Sequence, residues 1–354
     1  MFKFLSKKKF SVMKKIFIPV LIFIVFFELT SIIFTHMGLF IFNEKPKYSF
    51  EEKFLHDWIE RDEDGIVWHK KNYKTRHVSR CFDVEYETNN VGARDYNDYF
   101  ENDQNKSIML IGDSFAEGPG VEIEKIFAKL IEKKTGKKVL NFGNSGTEPK
   151  SQLIRYKKFG SNFNFDELIY FFLPQNDYSI PIQNSQNKNT EKVKNSEIRL
   201  SSQINLGQIK YKIINIISRF TYSYNFFRSV AYSMDINFNY GYENLSYFYK
   251  DIESINYTYN FLEEIIKFKS VKSYIVVIPT VYDINRVQKA QVNYKDLYWY
   301  KKISKIAENN NAVLIDLMDF IDFKEKAFYF HSCDGHWSEF GNFFASETFL
   351  RSIN

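Results

Sequence analysis

The chain has 354 residues, enough for one large α/β domain or two average domains. Hydrophobic residues make up 44% and charged residues 26%, a balance that excludes a polytopic membrane protein and a chain disordered throughout. The net charge of +5 arises in residues 1–15, which carry six lysines and no acidic residue and leave the remaining 339 residues with −1. A protein that binds duplex nucleic acid needs a basic surface on its folded body, so no nucleic-acid partner is predicted.

A long apolar segment follows the lysines. Residues 16–35 contain one charged side chain, Glu28, and 20 residues of helix span about 30 Å, the hydrocarbon core of a bilayer. No small-residue cleavage site follows, so an uncleaved transmembrane helix within residues 1–42 is favoured over a cleaved signal peptide. The lysines predict a single-pass protein with residues 1–15 in the cytoplasm and everything after Phe42 on the extracytoplasmic (periplasmic) side. Because an acid at mid-bilayer is costly, we expect Glu28 to lie near an interface or against a partner.

The cysteines and histidines do not indicate a bound metal. Cys81 and Cys333 are too few for a disulfide scaffold and lack C-x-x-C spacing. They could pair in an oxidising compartment, but the sequence cannot place them within bonding distance. The six histidines show no i, i+4 pair with a third ligand, so neither a metal nor another cofactor is predicted.

The rest of the chain divides into two predicted regions. Residues 43–106 are polar, with an alternating strand pattern near residues 82–88, and form a small connecting subdomain. In residues 107–354, apolar runs of five or six residues alternate with helical patterns, which is typical of parallel strands covered on both faces. We predict a three-layer α/β domain with a doubly wound, flavodoxin-like sheet of five parallel strands. The predicted strands are residues 107–112, 138–143, 167–173, 273–279 and 312–317.

A helical insertion interrupts this domain at about residues 179–252. Residues 183–204 are a polar, low-complexity loop, and an apolar stripe at helical spacing follows between Ile213 and Val230. Two interpretations stay open: the stripe is a buried face that packs on the domain, or it forms a lid or a lipid-facing surface.

Chemistry-bearing residues follow the predicted strands. Ser114 comes after the first strand, Gly146 after the second and Asn176 after the third, while Asp334 and His336 precede the terminal helix. Ligands bind at the carboxyl ends of the strands in open α/β sheets. Taken singly, each residue has a local structural explanation, as a turn residue, a helix cap or a glycine with positive φ.

Together these residues supply what ester cleavage needs. Ser114 is the candidate nucleophile, His336 the base that takes its proton, and Asp334 the acid that orients the imidazole. The backbone N–H groups of Ser114 and Gly146 and the side-chain amide of Asn176 would form the oxyanion hole.

In these blocks the chain resembles the SGNH hydrolases, also called the GDSL esterase/lipase family. Gly112-Asp113-Ser114, NFGNSG ending at Gly146, LPQND with Asn176 and CDGHW with His336 match the family's four blocks in order. The resemblance covers residues 107–354 apart from the insertion and implies the SGNH fold and serine esterase activity. The segment ETNNVGARD and the apolar helix with its acidic residue are similar to membrane-anchored bacterial members.

Two positions depart from the family pattern. The acid usually precedes the histidine by three residues, whereas Asp334 precedes His336 by two, so Asp334 follows a different backbone path or the site works as a dyad. Pro174 stands where the third block usually has glycine, and it stiffens that loop. His331 is an alternative base, but no acid lies two or three residues before it.

The combined prediction is a membrane-anchored serine esterase that hydrolyses O-acyl esters, acetyl or other short chains, of an extracytoplasmic glycan or lipid. An O-acyltransferase that modifies a cell-envelope polysaccharide would use the same triad. The alternative from another class is a non-catalytic envelope binding protein on the same fold. The sequence specifies neither the acyl chain nor the oligomeric state.

Overall fold

The computed structural model describes residues 7–37, 46, 57–79, 81–103, 105–178, 213–214, 216–233, 256–290, 293–331 and 334–353. The α-helices are α1 (Lys7–His36), α2 (Ser114–Glu117), α3 (Phe127–Thr135), α4 (Pro149–Arg155), α5 (Pro174–Asp177), α6 (Tyr222–Ser233), α7 (Asn256–Lys267), α8 (Val281–Ala290), α9 (Tyr298–Asn309), α10 (Lys326–Tyr329) and α11 (Glu339–Ile353). The strands are β1 (Ile59–Arg61), β2 (Val67–His69), β3 (Lys74–Val78), β4 (Asp83–Glu87), β5 (Ser107–Gly112), β6 (Lys138–Gly143), β7 (Glu167–Phe172), β8 (Lys272–Val277) and β9 (Val313–Asp316). The chain forms two compact units, Met1–Glu52 with Gln203–Asn237 and Lys53–Ser202 with Phe238–Asn354.

The second unit contains the predicted five-stranded sheet. Its strand order is β6-β5-β7-β8-β9, and every neighbouring pair is parallel. This is the doubly wound, flavodoxin-like order, so the predicted fold class is confirmed. The predicted strand limits differ from the observed ones by at most two residues.

Helices cover both faces of the sheet. Neighbouring side chains of a strand point to opposite faces. On β7, Phe171 packs on Phe127 of α3 with ring centroids 4.7 Å apart. Phe172 contacts Tyr178 at 5.4 Å, and Tyr178 packs on Tyr259 of α7 at 5.8 Å. The predicted three layers are therefore present, with β5 and β7 buried along their whole length.

The region before the sheet contains more regular structure than the sequence indicates. One strand is predicted near residues 82–88, and the structure has two antiparallel hairpins, β1–β2 and β3–β4. Strands β1, β2 and β3 are not predicted because β1 and β2 have only three residues each, and β1 and β3 are rich in charged residues. Trp68 of β2 stacks on Phe142 of β6 at 5.6 Å, which packs this region against the sheet.

The first unit contains the apolar helix and the helical part of the insertion. The segment Phe17–His36 of α1 has a mean hydropathy of 2.5 and is largely exposed, so its length and composition fit a membrane span, although a signal sequence shares these properties. Phe226 of α6 stacks on Phe34 of α1 at 5.8 Å. The predicted polar loop at residues 183–204 lies outside the described residues.

Candidate active site

Strand β5 delivers Ser114 to the carboxyl edge of the sheet. Asp113 caps α2, and its carboxylate accepts a hydrogen bond from the Phe115 N–H at 3.0 Å. A Cβ atom on Gly112 would lie 2.7 Å from the Cβ of Phe171, so only glycine allows this close approach to β7. Ser114 begins α2 and is 6% exposed.

The turn before α11 brings Asp334 against His336. Oδ2 of Asp334 lies 3.3 Å from Nδ1 of His336, and Oδ1 accepts the His336 backbone N–H at 3.0 Å. Gly335 has φ +81°, a conformation that glycine adopts without strain and that folds the carboxylate back onto both groups. The two-residue spacing therefore permits direct contact between the acid and the imidazole.

This contact sets the ionisation of both groups. Burial disfavours the charged imidazole of His336, but Asp334, together with Asp113 and Glu117, outweighs burial and raises the pKa of His336 above its ordinary value. Burial also acts against the Asp334 carboxylate, yet His336 lowers the pKa of Asp334 below its ordinary value. The pair is thus stabilised as carboxylate and imidazolium.

His336 lies beside the segment that carries Ser114. Its ring centroid is 5.5 Å from that of Phe115, and Trp337 packs on the same Phe115 at 4.9 Å. Asp113, on the other side of Ser114, also favours the protonated imidazole. Within the described chain no hydrogen bond joins Ser114 Oγ to His336, and such bonds are commonly long before substrate binds.

His331, the alternative base, packs in a different environment. Its ring lies on Phe82, with centroids 4.9 Å apart, and its Nε2 is so close to Gly120 that a Cβ there would lie 2.9 Å away. Burial lowers the pKa of His331. Its backbone N–H donates to the His336 carbonyl at 2.7 Å, so it helps to shape the turn that carries His336.

Asn176 connects the other predicted loops to the nucleophile segment. Its Nδ2 donates to the Thr147 carbonyl at 3.0 Å and to Oδ2 of Asp113 at 3.3 Å. Thr147 follows Gly146, which is exposed and has φ +70°. Both Nδ2 hydrogens therefore have protein acceptors, and donation to an oxyanion would replace the longer bond, to Asp113.

Two buried carboxyls lie beneath these loops. Burial raises the pKa of Asp113 to about 6, although the Phe115 N–H, His336 and Asn176 act in the opposite direction. Burial and the neighbouring Asp113 raise the pKa of Asp177 well above its ordinary value. Asp177 accepts the Leu173 N–H at 2.8 Å and so closes the loop that carries Asn176.

A third buried carboxylate, Glu117, holds the loop before Gly146 and is not evident from the sequence. It accepts the Ser145 N–H at 2.5 Å and the Tyr86 hydroxyl at 2.6 Å, and Nε2 of His69 lies 3.7 Å away. Burial acts to raise the pKa of Glu117, but His69 and the hydrogen bonds from Ser145 and Tyr86 lower it below its usual range.

Arg94, in the segment ETNNVGARD, also supports the end of α2 and the residues that follow it. Arg94 is fully buried over the ring of Tyr86 and donates to the carbonyls of Glu117, Gly118 and Val121. The region before the sheet is therefore part of the support of the Ser114 segment. A lone arginine after a turn signal hints at such a role, but no spacing reveals its partners.

No group of three or more His, Cys, Asp or Glu side chains that could hold a metal ion occurs in the described ranges. Cys81 is disulfide-bonded, whereas Cys333 lies outside the described residues.

Comparisons with known proteins give matches among solved structures. No family model matches the chain, and no curated protein matches it significantly. The lipase/acylhydrolase from Enterococcus faecalis is 16% identical, over 70% of this chain and 95% of that one, with a TM-score of 0.39. A member of the lipolytic protein G-D-S-L family from Veillonella parvula is 11% identical, over 70% of this chain and 97% of that one, with a TM-score of 0.39. An acetyl xylan esterase is 12% identical, over 70% of this chain and 100% of that one, with a TM-score of 0.37. At this level of similarity the activities of those proteins do not transfer, so the function rests on the site itself.

Proposed function

We propose that the chain is a serine esterase of the SGNH type, with Ser114 as nucleophile, His336 as base and Asp334 as orienting acid. The observation that supports this most is the Asp334–His336 pair, which packs on Phe115 directly after the buried Ser114 at the carboxyl edge of the sheet. The loop of Asn176 is tied by hydrogen bonds to the segments of both Ser114 and Gly146.

In the proposed reaction, His336 removes the proton from Ser114 Oγ while this oxygen attacks the ester carbonyl carbon. The N–H groups of Ser114 and Gly146 and the amide of Asn176 bind the oxyanion, and each such donor is worth about 3 kcal/mol. Proton return from His336 to the leaving alcohol yields an acyl-Ser114. Water, deprotonated by His336, then attacks the acyl group, and His336 returns this proton to Ser114 Oγ as the bond to the acyl group breaks and the acid is released.

The proposed location is the extracytoplasmic side of a membrane, with α1 as a single-pass anchor. The six lysines of residues 1–15, at the amino-terminal end of α1, favour this orientation. The disulfide-bonded state of Cys81 supports it, because disulfides persist mainly outside the reducing cytoplasm. The substrate in this compartment would be an O-acylated glycan or lipid, with an acetyl or other short acyl group.

The nucleophile can be tested with the full chain in detergent micelles. Labelling by a fluorophosphonate and hydrolysis of p-nitrophenyl acetate are compared for the parent, Ser114→Ala and Ser151→Ala. Ser151 is a matched control because it lies on α4 and its hydroxyl donates to the carboxylate of Glu148, the residue before that helix. Ser114→Ala should lose the label and at least about a hundredfold in rate, while Ser151→Ala keeps both.

Other results would reassign the function. A parent chain that is unlabelled and inert towards a broad ester panel would favour the binding protein. A label that persists in Ser114→Ala would exclude Ser114 as the nucleophile. An acylated product formed on an added acceptor saccharide would identify an O-acyltransferase.

A further inference from the structure

The carboxylate of Glu28 in the apolar helix α1 binds the start of α6. It accepts the Tyr222 N–H at 2.6 Å and the Ser223 N–H at 2.9 Å. The first N–H groups of a helix have no partner within it, and a negative charge is favoured at that end. The partner expected for Glu28 is therefore the amino end of the insertion helix.

Buried polar side chains lie both on α1 and on the insertion. Ser31 and Thr35 on α1 are buried, and they share one helical face with Glu28 because they follow it by three and seven residues. Ser218 and Asn225 are buried on the insertion side, where Asn225 Nδ2 donates to the Ser218 carbonyl at 2.7 Å. Small and hydroxyl-bearing residues at the contact are typical of helix pairs in membranes.

The backbone between residues 216–220 and α6 also keeps its polar groups paired. At this break the Thr221 N–H donates to the Ile217 carbonyl at 3.0 Å, and the Thr221 hydroxyl donates to the same carbonyl at 2.8 Å. Glu28 accepts the next two N–H groups. Satisfied backbone groups are what a helix break needs in order to lie at membrane depth.

Apart from the half-buried Arg219 and Arg228 of the insertion, the outer surface of this pair is apolar. Side chains of α1 between Phe17 and Phe26 are about half to two-thirds exposed, and the insertion continues this surface with Ile213 (52%), Ile216 (48%) and Phe227 (57%). Glu28 lies 12 residues, or about 18 Å of helix, after Ile16. In a span of about 30 Å this is beyond the bilayer midplane, on the side away from the lysines.

We propose that residues 213–233 form a second membrane-embedded element, which packs on α1 in the extracytoplasmic half of the bilayer and is covered by lipid acyl chains. The proposal rests on α1 being a membrane anchor and extends it to the insertion. It selects the lipid-facing interpretation of the apolar stripe.

The test uses tryptophan quenching in the full chain, reconstituted in vesicles of dibrominated phosphatidylcholine. The four native tryptophans are buried and supply a constant background, which the parent chain measures. Phe227→Trp probes the insertion, Phe26→Trp is the positive control on α1, and Phe343→Trp is the control on α11, where Phe343 is 48% exposed. The added fluorescence of Phe227→Trp and Phe26→Trp should fall at least about twofold relative to unbrominated vesicles, and that of Phe343→Trp should not.

The outcomes separate the insertion from the anchor. If Phe26→Trp is quenched and Phe227→Trp is not, the inference is overturned, while α1 remains supported as a membrane anchor. Absence of quenching in Phe26→Trp would overturn both. Equal quenching of Phe343→Trp and Phe227→Trp would also overturn the inference, because contact with lipid would not be specific to the insertion.

A second pair of variants tests the contact between Glu28 and the first N–H groups of α6. Added to Phe227→Trp, Glu28→Ala should reduce its quenching at least about twofold, because no acceptor remains for the first N–H groups of α6. Glu28→Gln keeps an amide oxygen and should retain the quenching. An effect of equal size in the two variants, or none in Glu28→Ala, would contradict the role of Glu28.

Discussion

Replacing Glu117 by alanine should weaken both the fold and the reaction. The substitution leaves the Ser145 N–H and the Tyr86 hydroxyl without their acceptor and removes the anionic neighbour of His69. An unpaired buried donor costs about 1–3 kcal/mol, so the free energy of unfolding should fall by about 2–6 kcal/mol. Glu117→Gln keeps one acceptor oxygen but turns an NH₂ group towards the other donor, so a loss of about 1–3 kcal/mol is expected.

The effect on activity follows from the position of Ser145. Its N–H is fixed by Glu117, and the next residue, Gly146, is the proposed oxyanion donor. Removal of one oxyanion donor lowers kcat by about 10² to 10³. A displaced donor should cost up to this factor, so Glu117→Ala should lower kcat at least about tenfold while Ser114 still reacts with the fluorophosphonate.

Urea unfolding followed by fluorescence, and hydrolysis of p-nitrophenyl acetate, measure the two effects. Tyr86→Phe is the matched control, because it removes one donor and leaves the bond between Glu117 and Ser145 intact. It should keep kcat within about threefold of the parent. Parent-like stability and kcat in Glu117→Ala, or an equal loss of kcat in Tyr86→Phe, would refute the reasoning.

Three further predictions concern protons and the Asp334 turn. The raised pKa of His336 places the acidic limb of the pH profile of kcat/KM above the ordinary pKa of histidine. Asp334→Asn should shift this limb to lower pH, and a limb that does not move would contradict the pairing of Asp334 with His336. At Gly335, with φ +81°, replacement by alanine should lower the free energy of unfolding by about 1–2 kcal/mol and reduce kcat. Replacement by asparagine, which tolerates this conformation better, should cost less. Thermal unfolding and the rates of both variants measure these effects. Burial raises the pKa of Asp316 to about 6, so the folded state binds a proton that the unfolded state releases near pH 4. Stability should therefore fall by about 3 kcal/mol as pH rises from 4 to above 6, and Asp316→Asn should flatten this dependence in urea titrations at several pH values.

The features of the molecule that can be predicted from its sequence are those that local residue patterns encode. These strands of the sheet are largely apolar six-residue runs, and their order fixes where Ser114 and Asn176 emerge. The support of the site is not local, because the Glu117 cluster joins His69, Tyr86 and Ser145 from three separate segments. No periodicity or spacing relates these residues, since their pairing depends on how the hairpins pack on the sheet. The orientation of the Asn176 amide depends likewise on contacts that only the folded chain makes.

The insertion of residues 213–233 changes what proteolysis can do to this protein. These residues belong to the same compact unit as α1, yet the chain connects them on both sides to the α/β domain, before at Tyr178 and after at Asn256. A single cut between residues 38 and 56 would sever α1 from the domain covalently, while Glu28 still holds the backbone of Tyr222 and Ser223. If α1 and residues 213–233 are embedded in lipid as proposed, the cleaved domain would stay with the membrane instead of being shed, and release of a soluble form would require further cuts that also remove the insertion.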